Sequence, residues 1–245
     1  MKIIHIWIDS DFKENEHPRA ANGEFGKGGN KSGEKHGHTV TARSEDPKDQ
    51  PIADHVQGSI SRLADEFPAV KSVLKGLKID IHAPKKNKKG TALGMYTPGK
   101  GGATLEIRPD PKQALTGHYS LGGWDVDPSV EGTIRHELGH AIESQIGDGL
   151  KFSPPRVDKE GRNAFNAYWA NSAPRREGGY PDWVAIRKIK AKEVSDYAAS
   201  DPGETFAECF CAYTHPDYGK EGHPKLPKPV ENFLSSLLSG KFNSK

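Results

Sequence analysis

The sequence predicts an α+β fold, a small mixed sheet followed by a helical region, and three observations carry that reading. Three strand-like runs, at 77–81, 92–96 and 103–108, cluster in the first half. Helical patterns recur around 127–147, 158–170, 181–194, 202–213 and 228–238. Residues 9 to 50 show almost no periodic hydrophobicity. The expected organisation is therefore a mostly flexible segment at 1–50, then one domain over 51–245.

From Asn22 to Gly37 the chain holds six glycines among lysine, asparagine and histidine, a solvated, unpacked composition. A basic arm for nucleic acid fails on charge, since residues 1–50 carry eight Lys/Arg against nine Asp/Glu. Ordered sequence begins near Pro51. Ile52, Val56, Ile60, Leu63 and Phe67 recur at helical spacing, and Pro68 ends that helix. Leu77–Ile81 and Ala92–Tyr96 read as strands around Lys85-Lys86-Asn87-Lys88-Lys89-Gly90. That basic run reads as a solvated hairpin tip rather than a nucleic-acid patch, because no aromatic residue is interleaved with it. Ala103–Arg108 is the third strand, stopped at Pro109. The next helix has Asp127 as cap, Pro128 in its first turn and Gly147 at its exit.

The formal charge of +2 on 245 residues recruits neither nucleic acid nor a membrane surface. Hydrophobic residues are 33% and the mean hydropathy is −0.75, with 27 Gly and 18 Pro, so part of the chain lies outside any core. No apolar run reaches 18 residues, and the opening Met1–Asp9 is too short and too polar for a secretion signal. The expectation is a cytoplasmic protein. Its two cysteines, Cys209 and Cys211, point about 200° apart on a helix, which suits core residues in a reducing compartment better than a bridge.

His136-Glu137-Leu138-Gly139-His140 carries the chemistry. Histidines four apart on a helix lie about 40° apart and one turn above each other, so both imidazoles can grip one ion. Glu137, about 100° round the helix, is too far aside to bind the same ion but can take a proton from a water beside it. Chance is the competing reading of an HExxH segment. Against it, the motif lies mid-helix, and Val130, Ile134, Leu138, Ala141 and Ile142 form an apolar stripe on the opposite side. Such a helix packs its back on the core and turns its histidines to a cleft.

A catalytic zinc needs a third protein ligand and one open position. Glu143 shares the histidine face but lies about 10.5 Å along the axis from His136, too far for one tetrahedral ion. The ligand should come from another element. In Asp201-Pro202-Gly203-Glu204-Thr205-Phe206-Ala207-Glu208 the two glutamates are four apart, so one could bind zinc while the other orients a ligand histidine. Asp201 and Glu204 read equally well as a capping box, with Glu204 doing only local backbone work. Spacing alone leaves the two readings level.

The segments His136–His140, Tyr197 and Glu204–Phe210 together resemble the signature of the anthrax lethal factor-like zinc endopeptidases, the group that includes the secreted Pro-Pro endopeptidases. The resemblance covers roughly residues 100–215. It implies a zincin-like fold of the gluzincin type and one zinc per chain held by His136, His140 and Glu204. It further implies Glu137 as general base, Tyr197 as the donor that stabilises the oxyanion, and Glu208 behind a ligand histidine. Tyr197 also reads as a plain packing tyrosine within Val194–Ala198. Sixty-three residues separate His140 from Glu204, so a long insertion intervenes. By the same analogy Leu105–Arg108 is expected to be an edge strand above the active-site helix, pairing with an extended substrate.

A second, shorter likeness joins His17-Pro18-Arg19 and Gly23–Gly29 to an HPR-x-x-x-G-x-F segment of tailed-phage head and prophage proteins. It implies phage origin and, as partners beside a peptide or protein substrate, phage head components. The expected function is that of a zinc endopeptidase. The alternative is a virion structural protein whose zinc only stabilises the fold, which requires four protein ligands.

Overall fold

Val56 and Ile60 are fully buried and Leu63 nearly so, one apolar stripe of the helix α1 (Gln50–Glu66). Pro68 does more than stop it. After Phe67 the proline opens a second helix, α2 (Pro68–Leu74), where a missing N–H costs nothing in the first turn. The computed structural model describes residues 3–7, 41–43, 50–74, 77–82, 93–98, 103–109, 112–146 and 164–239. Two compact units divide between Pro111 and Lys112.

The first unit contains a five-stranded sheet. Its strands are β1 (Ile3–Trp7), β2 (Thr41–Arg43), β3 (Lys78–His82), β4 (Gly94–Thr97) and β5 (Thr104–Ile107), in the order β2-β1-β3-β5-β4. β3 and β5 are parallel, with Ile79 opposite Leu105; the other pairs are antiparallel. Within the segment expected to be mostly flexible, Ile3–Trp7 and Thr41–Arg43 are ladder strands. The β-prone run Ile3–Trp7 gains its structure from β3, more than 70 residues away, a pairing that no local pattern reveals. Leu105–Arg108 is not an edge, because β5 lies between β3 and β4 and both its sides are hydrogen-bonded. Ile79, Leu105 and Ile107 are fully buried, which fits an interior position. The Gly-rich stretch 22–37, the His17–Gly29 segment and the Lys85–Lys89 run lie outside the described residues.

The second unit is helical: α3 (Val130–Ile146), α4 (Ala164–Ser172), α5 (Trp183–Glu193), α6 (Pro202–Tyr213) and α7 (Lys228–Leu238). The start of α3 differs from expectation. Ser129, not Asp127, caps it, accepting from the Gly132 N–H at 3.1 Å. Asp127 instead accepts from the Ser129 N–H and is anchored by Arg135, one turn into the helix, at 3.3 Å. Gly132 permits this wrapping, since a β-carbon there would lie 1.9 Å from the Asp127 carbonyl oxygen. The predicted stripe Val130, Ile134, Leu138, Ala141 and Ile142 is buried to 1% or less throughout. Phe165 of α4 packs on Phe206 of α6 and Phe233 of α7 at ring separations of 5.7 and 5.6 Å. Each fully buried ring of this kind stabilises the unit by roughly 1.5–3 kcal/mol. No helix among the described residues is long and apolar enough to cross a membrane.

Candidate metal centre

α3 and α6 pack face to face, and Gly139, inside the histidine motif, sets how closely. A β-carbon at Gly139 would lie 2.8 Å from the Ala207 α-carbon, so backbone meets backbone between His136 and His140. α6 enters this contact with its acidic side forward. Asp201 caps it by accepting from the Gly203 N–H at 2.8 Å, Pro202 occupies the first turn, and Phe206 and Phe210 hold the helix down in the core. Thr205 adds a buried tie, accepting from Lys190 Nζ of α5 at 2.8 Å and donating to the Ala198 carbonyl at 2.7 Å.

Glu204 and Glu208, one turn apart, then reach the same imidazole from opposite ends. Glu204 Oε2 is 2.9 Å from His136 Nε2 and 3.3 Å from His140 Nε2. Glu208 Oε1 is 2.7 Å from His136 Nδ1. The two Nε2 atoms are 3.1 Å apart. Of the two roles open to Glu204 in the sequence, the histidine-facing one is adopted: Asp201 caps α6, and the Glu204 carboxylate meets the imidazoles. Glu143 is directed to the far nitrogen of His140, with Oε2 3.8 Å from Nδ1, so it flanks that histidine from outside.

One ligand atom from each of His136, His140 and Glu204 can be chosen so that all three lie within 4.8 Å of one another. The closest donor separations of 2.9, 3.1 and 3.3 Å approach the separation of about 3.3 Å between donors on a tetrahedral ion with bonds of about 2.0–2.1 Å. Two imidazoles and one carboxylate suit a borderline ion such as zinc; magnesium and calcium favour all-oxygen sites. The residues present therefore fit a bound metal ion.

The electrostatics agree. Burial opposes charge on His136, yet contacts with Glu204 and Glu208 and the nearby Glu137 carboxylate outweigh it and hold the imidazole up at about 10. His140 is likewise held up at about 9, burial being outweighed by Glu143 and Glu204. Burial also disfavours the Glu204 carboxylate, but the two histidines bring it down to about 2. Carboxylates thus create a local preference for positive charge where the two Nε2 atoms converge. Protons satisfy that preference, and a divalent cation competes with them.

Glu137 is buried on α3 and acts electrostatically on both His136 and Tyr197. Tyr197 lies on the turn before α6. Its ring stacks on His136 at 5.4 Å and 23°, and its N–H donates to the Trp124 carbonyl at 2.9 Å. Burial first, then the carboxylates of Glu204, Glu137 and Glu208, push its phenol up to about 12. The hydroxyl therefore stays protonated and able to donate at neutral pH. Trp124, 71% exposed, stacks on the outer face of Tyr197 at 6.4 Å and 22°.

All six residues singled out from the sequence come together: His136, Glu137, His140, Tyr197, Glu204 and Glu208. Sequence reasoning passed over the supports around Glu208, whose Oε2 accepts from the Val126 N–H at 2.9 Å and from Ser195 Oγ at 2.7 Å. A loop amide and a lone serine carry no spacing signal that could have announced them. Cys209 and Cys211 are both buried and unbridged, with burial pushing both thiols up. No protein-family model, curated protein or solved structure matches the chain.

Proposed function

We propose that the chain is a single-zinc endopeptidase that hydrolyses peptide bonds of a peptide or protein substrate. The observation that carries this reading is the convergence of His136 Nε2, His140 Nε2 and Glu204 Oε2, with Glu137 on the same helix and Tyr197 stacked over His136. Bound there, zinc would supply a Lewis acid for the scissile carbonyl and an acidified water as nucleophile. Glu137 accepts the proton of that water and returns it to the leaving amine. The Tyr197 phenol, kept protonated by burial and by its carboxylate surroundings, donates to the oxygen that becomes negative as the carbonyl is attacked. Glu208, 2.7 Å from His136 Nδ1, would hold that nitrogen's proton and leave Nε2 free to take an ion.

Among the described residues this group has three members, which favours an open, catalytic position over a site closed by four protein ligands. The deciding experiment pairs elemental analysis of the purified protein with mass spectrometry of a mixed peptide library. One zinc per chain with new peptide termini, both lost on chelation, supports the reading. Glu137→Gln should keep the zinc and the fold and abolish cleavage. Full zinc occupancy with no cleavage of any peptide would favour the structural-zinc alternative.

A further inference from the structure

The Glu208 carboxylate is held at three points. Oε1 takes the Nδ1 proton of His136 at 2.7 Å, while Oε2 takes the Val126 N–H at 2.9 Å and the Ser195 hydroxyl at 2.7 Å. Ser195 is fully buried. Its oxygen accepts from the Ala198 N–H at 3.0 Å, so its single proton is directed to Glu208. The turn that bears Ser195 is laced to the loop that bears Val126. Ser195 bridges Gly123, the Asp196 N–H donates to the Gly123 carbonyl, and the Tyr197 N–H donates to the Trp124 carbonyl, both at 2.9 Å. One buried hydroxyl therefore sits where the turn presenting Tyr197 meets the carboxylate that orients His136.

We propose that Ser195 is a positioning residue of the metal centre, fixing the Glu208 carboxylate on His136 Nδ1 and tying the Tyr197 turn to that same carboxylate. It touches neither ion nor substrate, and the inference rests on the metal-centre reading above. The terminal torsion of a glutamate is soft and roughly two-fold, so a carboxylate held by one donor can swing where one held by two cannot. Without Ser195, Oε2 keeps only the Val126 N–H. The Oε1–Nδ1 contact then loosens, and with it the tautomer that leaves Nε2 free to ligate. Removing the direct partner of a ligand histidine typically costs 10–100-fold in metal affinity, and the loss of Ser195, which acts through that partner, is bounded by it. A serine that merely stabilised its own turn would lower the melting temperature and leave affinity unchanged.

The test uses the full-length protein and needs no substrate. Zinc affinity is measured by chelator competition for wild type, Ser195→Ala, Glu208→Ala and the double variant, and the visible spectrum of each is recorded with cobalt(II) in place of zinc. Expected results are a loss of up to about 10-fold in Ser195→Ala, smaller than that in Glu208→Ala, with an altered cobalt spectrum, and no further loss when it is added to Glu208→Ala. Wild-type affinity and spectrum in Ser195→Ala, or full additivity with Glu208→Ala, would overturn the inference while leaving the metal centre standing. A wild-type protein that binds neither zinc nor cobalt would overturn the metal reading and this one with it. Should Ser195→Ala not fold, Ser195→Cys, a weaker donor of nearly the same size, replaces it in each comparison with the same outcomes.

Discussion

Gly139 and Ala207 bring α3 and α6 into backbone contact between the two histidines, with 2.8 Å from a hypothetical Gly139 β-carbon to the Ala207 α-carbon. Propensity and packing make opposite predictions for Gly139→Ala. Alanine within a helix is favoured over glycine by about 1 kcal/mol. Overpacking a tight contact costs about 1–3 kcal/mol, and here the obstacle is backbone that cannot rotate away. The expected outcome is a lower melting temperature together with weaker zinc binding, because the helices that carry the proposed ligands are forced apart. A melting temperature above wild type would show that the contact yields.

The ligand assignment separates two glutamates. Glu204 contacts both Nε2 atoms, whereas Glu143 approaches His140 only from its Nδ1 side. Glu204→Ala should therefore lose stoichiometric zinc, and Glu143→Ala should retain it. Elemental analysis of the two purified variants checks this directly. Full occupancy in Glu204→Ala would reduce that residue to a spectator.

This division was half visible in the sequence. The helical period and the HExxH spacing placed His136, Glu137 and His140, and the buried stripe from Val130 to Ile142 followed from the same periodicity. Glu204 remained level between cap and ligand, because a capping box and an acidic ligand helix share one pattern until the opposing helix is in place. Contacts distant in sequence stayed hidden. Pairing of Ile3–Trp7 with β3 and the interior position of β5 depend on strand order, and the Val126 and Ser195 donors to Glu208 depend on loop paths that periodicity does not describe.

The pH dependence of stability should differ between metal-free and zinc-loaded protein. His136 and His140 are raised from 6.5 to about 10 and about 9, so without metal their contribution is complete below pH 6.5 and is lost as pH rises through those values. Glu204 is lowered from 4.5 to about 2, so its contribution is present above pH 4.5 and disappears as pH falls through 2. Between pH 6.5 and 10 the chelated protein should lose melting temperature. Zinc replaces the histidine protons, so the loaded protein should lack that decline, and zinc affinity should rise with pH. Burial lowers Lys190 from 10.5 to about 8, which adds stability with rising pH in both forms and cancels in the comparison. Thermal melts at pH 6, 8 and 9.5 with and without chelator measure the difference. Parallel curves would show that the histidine protons and the metal do not share a site.

Tyr197 gives the sharpest separation of chemistry from packing. Its ring lies on His136 at 5.4 Å, its N–H is fixed to Trp124, and its hydroxyl is kept protonated by burial and three carboxylates. Tyr197→Phe removes the hydroxyl alone. The ring stack and the backbone hydrogen bond remain and only the hydroxyl's contact with Glu204 is lost, so zinc content should stay close to wild type. A donor to the developing oxyanion acts mainly in the transition state, so kcat should fall while KM changes little. By analogy with the loss of one oxyanion donor, the fall should be on the order of 10²–10³. A packing tyrosine gives a different pattern: turnover near wild type, with a stability loss of about 1 kcal/mol from the lost hydroxyl contact with Glu204 as the sole effect. Turnover, zinc content and melting temperature on this one variant therefore assign the residue, provided the wild type first cleaves a peptide that chelation protects.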